Sequence, residues 1–247
     1  MSVTKIALVT GGGSGIGRAC AVALAQNGFK VVVTGRKIAA LEETVAMMQS
    51  GAAIVCDVTD ADAVDALFAQ IERDYGRLDL LFNNAGNNVK AAPIGDIPPE
   101  DFLTVMNVNL YGAFLAARGA FNLMRKQDPQ GGRIINNGSI SAAVPRPGST
   151  PYTASKHAIT GMTRSVSLDG RPYNIVCGQI DIGNAASEMT VQFEKGVPQA
   201  DLSIKSEPVM DVAHVAETLV HMAKLPLSAN VQFVTVMAST MPFIGRG

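Results

Sequence analysis

A tyrosine and a lysine four positions apart, Tyr152 and Lys156, form the pair of residues with the clearest chemical meaning in this sequence. On a helix, residues at i and i+4 lie on one face, so a phenol would stand beside an ammonium group. A nearby cation favours the phenolate and lowers a tyrosine pKa from its reference value of about 10. The pair therefore predicts a side chain that exchanges a proton with a bound molecule near neutral pH. The same spacing also occurs by chance on amphipathic surface helices, so the neighbouring motifs must decide.

A glycine-rich segment near the N-terminus lies between a strand-like run and a helix-like run. Glycines allow a sharp turn and a close approach of the backbone to a pyrophosphate, and the amides and dipole at the helix start attract its charge. The segment predicts a dinucleotide-binding turn, with a flexible glycine loop as the alternative. The contacts expected from it are those of Gly11, Gly13, Ser14, Gly15, Ile16 and Gly17.

The second strand-like run ends at Gly35-Arg36-Lys37, where a dinucleotide fold places the residue that meets the adenosine ribose. Proteins that bind NAD usually carry Asp or Glu there. Arg36 and Lys37 instead offer positive charge that suits a 2′-phosphate. The sequence thus favours NADP(H) over NAD(H), with two solvated surface cations as the alternative.

The whole chain alternates between strand-like and helix-like runs, which predicts an α/β fold with a parallel sheet covered by helices on both faces. We expect a single Rossmann-fold domain over residues 1–247, doubly wound around seven strands, because no linker or internal repeat divides the chain. Ligands in such sheets bind beyond the carboxyl ends of the strands, where the motifs fall. The strand-like runs are at 5–10, 30–34, 52–56, 78–82, 133–137, 173–177 and 231–236, and the helix-like runs at 16–27, 38–49, 61–75, 99–125, 152–168 and 211–224.

Composition excludes several classes of protein. Among the 247 residues, 20 basic side chains nearly balance 21 acidic ones and no basic block occurs, so binding to nucleic acid or to an anionic membrane has no support. No run approaches the roughly 20 apolar residues that span a bilayer, and we find no cleavable signal. We expect a soluble, cytoplasmic protein.

Cysteines and histidines do not form a metal site in the sequence. The cysteines lie far apart inside apolar runs, which indicates reduced thiols in a cytoplasmic core, and the histidines do not cluster as ligands. These residues are Cys20, Cys56, Cys177, His157, His214 and His221.

Five segments in chain order resemble motifs of the short-chain dehydrogenase/reductase family, and the resemblance runs over nearly the whole chain. They are Thr10 to Gly17, Cys56-Asp57-Val58, Asn83-Asn84-Ala85-Gly86, Asn107-Val108-Asn109-Leu110-Tyr111-Gly112, and Ile134 to Ser139 before the tyrosine. Besides the glycine turn and Arg36, the resemblance implies cofactor contacts at Asp57, Val58, Asn84, Ala85, Gly86, Tyr152 and Lys156.

The resemblance also implies four catalytic residues: Asn109, Ser139, Tyr152 and Lys156. Ser139 stands 13 positions before Tyr152, which matches the family spacing, and Ser141 is the alternative. Asn109 takes the position of the family's helix-bending asparagine, with Asn107 as the second candidate and a simple capping role as the structural alternative.

The residue types agree with reduction of a carbonyl group, which needs a hydride on carbon and a proton on oxygen. NADPH would bring the hydride, Tyr152 the proton, and Ser139 a second hydrogen bond to the carbonyl oxygen. Lys156 would lower the tyrosine pKa and bind the nicotinamide ribose. Asn109 would hold a water that connects Lys156 to solvent.

One segment departs from the family pattern. Where family members end a strand in Pro-Gly, this chain has a shorter connection and the run Cys177-Gly178-Gln179-Ile180-Asp181-Ile182-Gly183-Asn184-Ala185, which resembles a subgroup of bacterial and plant members. Gly178 can still let the backbone approach the nicotinamide. We also assign cofactor contacts to Ile180 and Ile182.

The segment from about 186 to 208 is the expected substrate lid, and Met189 and Phe193, four positions apart, form either the apolar face of a lid helix or an ordinary buried face. The family resemblance implies a homodimer or homotetramer built partly from the helices at 99–125 and 152–168. The apolar run from Met241 to Ile244 suggests further burial against another subunit.

Several functions fit this combination. The favoured one is an NADP(H)-dependent oxidoreductase acting on a small carbonyl compound or alcohol, with a 3-oxoacyl carrier-protein reductase as one form and a sugar or polyol dehydrogenase as its rival. An acidic acyl carrier would need a basic docking patch, for which the candidates are Arg125, Lys126, Arg133 and Arg171. A sensor that binds NADP without turnover, or a scaffold without a cofactor, are the alternatives from other classes.

Overall fold

A parallel sheet lies at the centre of the computed structural model, which describes residues 4–48, 50–186 and 196–244. Seven strands form the sheet, in the spatial order β3-β2-β1-β4-β5-β6-β9. The strands β7 and β8 pair separately as a short antiparallel ribbon. In chain order the strands are β1 (Ile6–Thr10), β2 (Lys30–Gly35), β3 (Gly51–Val55), β4 (Leu80–Asn83), β5 (Gly132–Asn137), β6 (Ile175–Gly183), β7 (Val197–Pro198), β8 (Ile204–Lys205) and β9 (Phe233–Met237).

Helices cover both faces of the sheet and bury two apolar clusters against it. Helices α1 and α7 pack on one face, where Leu24 and Leu219 are fully buried, and α3 and α5 pack on the other, around Ile71 and Leu123. The helices are α1 (Gly15–Gln26), α2 (Ile38–Met47), α3 (Ala61–Tyr75), α4 (Pro99–Met106), α5 (Ala113–Met124), α6 (Thr150–Asp169) and α7 (Val212–Lys224).

Strands covered on both faces need continuous apolar sequence, and β1 shows it, since all five of its residues are buried. Helix boundaries follow equally local signals. Asp60 accepts hydrogen bonds from the amides of Asp62 and Ala63 at the start of α3, and Gly76 ends that helix in the left-handed region. The predicted doubly wound Rossmann fold with seven parallel strands is confirmed.

Two predicted elements differ from the structure. The helix expected over 99–125 is divided into α4, a π-helical turn over Asn107–Gly112, and α5. The strand expected over 173–177 begins later and runs further, as β6, because a short 3₁₀ turn and Asn174, with a φ of 55°, precede it. Strands β6 and β9 therefore pair along Gln179–Gly183, beyond the end of the predicted strand.

Several expectations about the chain as a whole stay predictions. The single domain over 1–247 is one, and so is the lid over 186–208, of which residues 187–195, with Met189 and Phe193, lie outside the described residues. Within the described part of the chain, no helix is long and apolar enough to cross a bilayer.

Candidate active site

A cleft of about 620 Å³ opens at the carboxyl ends of β1, β4, β5 and β6. Strand β1 pairs with β2 on one side and β4 on the other, so the chain reverses its winding direction here. A doubly wound sheet leaves its binding crevice at this switch point. The cleft joins the glycine turn at one end to Ser139, Tyr152 and Lys156 at the other.

The glycine turn is held close to the end of β4. Gly11 has a φ of 64°, in the region that favours glycine. A Cβ on Gly17 would lie 2.2 Å from the Gly11 carbonyl oxygen and 2.6 Å from Asn84 Nδ2. The start of α1 therefore packs directly against the backbone of the glycine turn. The unpaired amides at this helix start are available to a ligand in the cleft.

Thr10 fixes the positions of Asn84 and Ala85. Its Oγ1 accepts hydrogen bonds from both backbone amides at 2.9 Å, and its carbonyl accepts one from Asn84 Nδ2 at 2.9 Å. Asn137 Nδ2 donates to Asn84 Oδ1 at 2.9 Å. The predicted contact residues Asn84, Ala85 and Gly86 consequently line the cleft between the turn and β5.

Sequence reasoning missed Arg18, which supports the turn from behind. Its guanidinium donates to the carbonyl of Gly13 at 2.5 Å and to Thr44 Oγ1 at 3.1 Å, and it pairs with Glu43 at 2.8 Å. Gly13 thus faces α2 and is absent from the cleft wall, unlike its neighbours Gly11, Ser14, Gly15, Ile16 and Gly17. An arginine in the first helical turn gave no signal of this contact in the sequence.

Three of the four predicted catalytic side chains converge at the far end of the cleft. Ser139 lies close enough to Tyr152 to lower its pKa by hydrogen bonding, and Lys156 Nζ lies 5.5 Å from the centre of the Tyr152 ring. Lys156 donates a 2.8 Å hydrogen bond to the carbonyl of Asn137. Ser141, the alternative to Ser139, donates a hydrogen bond from its backbone amide to Ser139 Oγ at 3.1 Å. It therefore holds the Ser139 hydroxyl in place.

The expected direction of the Tyr152 pKa is wrong. Burial raises the pKa of Tyr152, the hydrogen bond from Ser139 opposes that rise, and the charge of Asp181 adds to it. Burial also lowers the pKa of Lys156 to about 8, and here the charge of Asp181 opposes the effect of burial. Desolvation disfavours both charged forms, and it outweighs the attraction between ammonium and phenolate that the spacing predicted.

The π-helical turn brings Asn109 into the site. Asn109 is buried, whereas Asn107, the second candidate, is exposed. One residue more per turn rotates the helix enough to present this amide inward. On the other side of the turn, Gly112 packs against Val58 so closely that a Cβ would meet Val58 Cγ2 at 2.7 Å.

The Asn109 amide clamps the strand-like segment that follows β4. Its Oδ1 accepts from the Asn87 amide at 2.8 Å, and its Nδ2 donates to the Asn87 carbonyl at 3.0 Å and to Ser155 Oγ at 3.2 Å. Asn87 Oδ1 is buried without a hydrogen-bond partner among the described residues. The expected water link from Asn109 to Lys156 stays a prediction.

Arg36 is exposed directly after β2 and lies near enough to Asp57 for the two charges to interact. Its charge helps to lower the pKa of Asp57, after the larger effect of hydrogen bonds from Thr59, whose amide and hydroxyl lie 2.9 and 2.8 Å from Asp57 Oδ1. Val58 is buried beside it. These residues lie outside the cleft wall, next to the edge where a dinucleotide fold holds the adenosine.

Two of the three contacts assigned to β6 are wrong. Gly178 lies inside the sheet, where a Cβ would meet the Val231 carbonyl oxygen at 2.3 Å. The lack of a side chain at Gly178 therefore lets the segment before β9 pack closely against β6. Ile180 is fully buried in the core. Only Ile182 lines the cleft. The prediction put these residues beyond the end of the strand because it ended β6 at Cys177, six residues before its actual end at Gly183.

An ion pair that the sequence did not reveal, between Arg146 and Glu207, lies at the wall of the cleft. Arg146 binds both carboxylate oxygens of Glu207, at 2.6 and 2.5 Å. Asn184 and Gln199 donate to the same carboxylate at 2.8 and 2.9 Å. The loop before α6, the end of β6 and the segment around β7 are thereby joined, although the two charged residues are 61 positions apart.

Acidification should weaken this ion pair. Burial opposes ionisation of Glu207, but the hydrogen bonds from Arg146, Gln199 and Asn184 prevail and bring its pKa to about 2, from 4.5. A lowered pKa stabilises the fold above the unfolded value, and the contribution is lost as pH falls from about 4.5 toward 2. Glu207→Gln should cost about 3 kcal/mol in urea unfolding at pH 7 and progressively less toward pH 3.

Asp65→Asn is the matched control for Glu207→Gln, because Asp65 pairs with Arg118 at 2.8 Å on the open surface. It should cost below about 1 kcal/mol. A pH-independent cost at Glu207 would show that its carboxylate charge contributes nothing to the free energy of unfolding.

The residues present fit a dinucleotide. The glycine turn and the start of α1 line one end of the cleft, and the lack of a Cβ at Gly17 lets α1 pack directly against Gly11 there. The charged side chains among the described cleft residues are all cations, namely Lys90, Arg146 and Lys156. A pyrophosphate at the start of α1 would therefore meet amides and positive charge along the described wall.

The sheet order and the glycine turn define a dinucleotide-binding α/β protein. The chain belongs to the short chain dehydrogenase family, whose model matches residues 5–197. Members of this class are NAD(P)-dependent dehydrogenases and reductases acting on alcohol and carbonyl groups. The resemblance inferred from the sequence is confirmed at the level of the family, while the narrower subgroup suggested by residues 177–185 stays a prediction.

Three similar proteins illustrate the range of the family. The chain is 39% identical over 180 residues to a 3beta-hydroxysteroid dehydrogenase of Mediterraneibacter gnavus, covering 71% of this chain and 64% of that protein. It is 34% identical over 215 residues to the 3-oxoacyl-(acyl-carrier-protein) reductase MabA of Mycobacterium tuberculosis, covering 87% and 83%. The structure of an NAD+-bound xylitol dehydrogenase matches with a TM-score of 0.85 and 28% identity, over 94% of this chain and 97% of that one.

Proposed function

We propose that the protein is an NADP(H)-dependent oxidoreductase that interconverts a ketone or aldehyde and the corresponding alcohol. The observation that carries this proposal is the convergence of Ser139, Tyr152 and Lys156 at one end of a cleft whose other end is the glycine turn. Bound NADPH would supply the hydride for a carbonyl carbon in that cleft. The proton must then come from the protein.

Tyr152 is the proposed proton donor. Burial raises its pKa, so the side chain is a phenol at neutral pH, which is the form that donates to a developing alkoxide. The Ser139 hydroxyl, beside it, would donate a second hydrogen bond to the same oxygen. In the oxidative direction, Tyr152 would have to lose its proton first, so alcohol oxidation should need higher pH than carbonyl reduction.

Lys156 and Asn109 are proposed to support this proton transfer. Lys156 is anchored on the Asn137 carbonyl at 2.8 Å, which leaves its other N–H groups for ribose hydroxyls. Asn109 fixes the backbone of Asn87, whose unpartnered Oδ1 offers an acceptor for a water in a relay from Lys156 to solvent. The proposed role of Lys156 depends on its contact with Asn137, and that of Asn109 depends on its contact with Asn87.

Titration of the purified protein with NADPH and with NADH, followed by fluorescence, is the first test. A panel of carbonyl compounds and alcohols, read at the nicotinamide absorbance, then tests turnover. Tight NADPH binding with turnover supports the proposal. Binding without turnover over a broad panel favours an NADP sensor, and failure of both cofactors to bind contradicts the central claim.

Arg36 is the residue on which the proposed NADP(H) preference depends. It is exposed at the end of β2 and makes no hydrogen bond within the described structure, so its guanidinium can bind a 2′-phosphate. Arg36→Asp should raise the NADPH Kd by about tenfold or more and improve NADH binding. Paired titrations of the variant with the two cofactors measure this ratio.

The control for Arg36→Asp is Arg73→Asp on the exposed side of α3, which carries the same change of charge. It should leave the ratio of the two Kd values unchanged. An unaltered ratio in Arg36→Asp itself would show that the 2′-phosphate is held elsewhere, with Lys37 as the next residue to test.

For the substrate, we propose a 3-oxoacyl carrier-protein reductase-like activity, which the similarity to the mycobacterial reductase supports. Three of the candidate docking cations, Arg125, Lys126 and Arg171, are exposed. Arg133 is wrong as a candidate, since it is buried and donates to Asn230 and to backbone carbonyls at 2.7 to 3.2 Å. A sugar or polyol dehydrogenase is the alternative, supported by the xylitol dehydrogenase match.

A homodimer or homotetramer in the cytoplasm completes the proposal. Large apolar side chains are exposed on α4, the π-helical turn, α5 and α6, which supports association of copies through these helices. Light scattering after gel filtration would give the mass. The exposed side chains are Phe102, Leu103, Tyr111, Phe114 and Leu168.

A further inference from the structure

Asp181 is a half-buried carboxylate close to Ser139, Tyr152 and Lys156. It directly precedes Ile182, which lines the cleft. Its Oδ1 accepts hydrogen bonds from the backbone amide of Ser139 at 2.9 Å and from Gln179 Nε2 at 2.8 Å. The carboxylate therefore reaches from β6 to the end of β5. It holds the backbone of the residue whose hydroxyl meets Tyr152.

Gly138 and Asp181 fit each other closely. A Cβ on Gly138 would lie 2.0 Å from Asp181 Oδ1 and 2.7 Å from Gln179 Nε2, so any larger residue there would displace these side chains. Gln179 in turn contacts two hydroxyls of α6, those of Thr160 and Thr163, both at 3.0 Å. One hydrogen-bonded group thus connects β5, β6 and the helix that carries Tyr152 and Lys156.

The charge of Asp181 also reaches the catalytic residues. Among the described residues that face Tyr152 and Lys156, β5 contributes the carbonyl of Asn137, the segment after β5 contributes the neutral Ser139, and α6 contributes the two residues themselves. Asp181 of β6 is the acidic group whose charge acts on both, and it raises the pKa of each. Lys156 in return favours the ionised form of Asp181, although burial raises the pKa of that carboxyl.

We propose that Asp181 is a positioning residue with two separable effects: it fixes Ser139 through the backbone amide, and its carboxylate places a negative charge close to Tyr152 and Lys156. The inference deepens the proposed function, because it assigns the control of the proton donor to a residue that the family motif does not contain. A negative charge at this place makes the phenol harder to ionise and the ammonium harder to neutralise.

Asp181→Asn separates charge from geometry. An asparagine oxygen can still accept from the Ser139 amide and from Gln179, but the negative charge is gone. Loss of the charge favours the phenolate and the neutral amine, so both groups should lose their protons at lower pH. We expect Tyr152 to ionise about one pH unit lower, and the alkaline limb of carbonyl reduction to move in the same direction by about the same amount.

Ultraviolet titration of tyrosinate follows this shift without any turnover. The difference between the wild type and Tyr152→Phe isolates Tyr152 from the other tyrosines, and the difference between Asp181→Asn and the double variant gives the shifted value. Circular dichroism checks folding, and Asp181→Ser is the second uncharged variant if the asparagine variant does not fold. Asp169→Asn, at the exposed end of α6, removes an equal charge and should shift nothing.

Asp181→Ala removes the acceptor as well as the charge, so it should show the same shift with a further loss in kcat of about tenfold. An unchanged Tyr152 titration in Asp181→Asn would overturn the role of the charge, and equal kcat in Asp181→Ala and Asp181→Asn would overturn the role of the Ser139 contact. A titration shift in a protein that turns over no carbonyl would leave Asp181 in place and defeat the proposed function instead.

Discussion

Replacing Tyr152 with phenylalanine should lower kcat for carbonyl reduction by about 10²- to 10⁴-fold, the usual contribution of a positioned acid. The ring keeps its half-buried place on α6, so Lys156 and Ser139 lose only the hydroxyl that they adjoin. NADPH affinity should stay within a few-fold of the wild type, since the glycine turn and Arg36 are untouched. Steady-state kinetics and a fluorescence titration measure the two quantities separately.

Tyr173→Phe is the matched control for Tyr152→Phe, because Tyr173 packs edge-on against Phe121, 5.7 Å between ring centres, and is not among the residues that line the cleft. The same hydroxyl is removed, yet kcat should stay close to the wild type. Retention of most activity in Tyr152→Phe would remove this tyrosine from the acid role. Ser139 and a water on the Asn87 side would then be the next donors to test.

Catalytic residues could be predicted where one local element fixes their spacing. Tyr152 and Lys156 share one helix, and Ser139 follows one strand, so the periodicity of each element already places them. The glycine turn was equally local. The sheet could be predicted as a whole because buried parallel strands read as apolar runs separated by helices.

Contacts between distant segments could not be predicted from spacing. Arg146 and Glu207 resemble ordinary surface charges in the sequence, and only the fold shows that Glu207 is buried against a partly buried Arg146. The same holds for Asp181 and Gly178. The contact of Asp181 with Ser139 and that of Gly178 with Val231 join segments that are distant in the sequence. The π-helical turn at Asn109 was hidden for another reason, because helical periodicity alone does not distinguish a single widened turn.

The pKa of Tyr152 shows why a motif predicts position better than energy. The spacing correctly brought Lys156 within 5.5 Å of the ring centre. Burial of the pair, which depends on the whole cleft, reversed the expected shift. The ammonium is itself desolvated, with its pKa lowered to about 8, so the fold and not the pair decides the protonation state.

Gly17→Ala should weaken NADPH binding by about a hundredfold and lower the Tm by about 10 °C. The added methyl group would lie 2.2 Å from the Gly11 carbonyl oxygen and 2.6 Å from Asn84 Nδ2. The nearest of these atoms belongs to the backbone, so relief requires α1 to move away from the turn, at a cost of about 3 kcal/mol. Calorimetry and a fluorescence titration with NADPH give the two values.

Two other glycines calibrate this result. Gly161 lies in α6 with no atom within 4 Å of an added Cβ, so Gly161→Ala should keep NADPH affinity and raise the Tm slightly through helix propensity. Gly13 is in the turn itself, but the closest atom to an added Cβ would be the Ala40 methyl carbon, at 3.2 Å, so Gly13→Ala should cost less than Gly17→Ala. Equal losses at Gly13 and Gly17 would mean that any substitution in the turn is harmful, whereas a loss confined to Gly17 would locate the requirement in the contact between α1, the turn and β4.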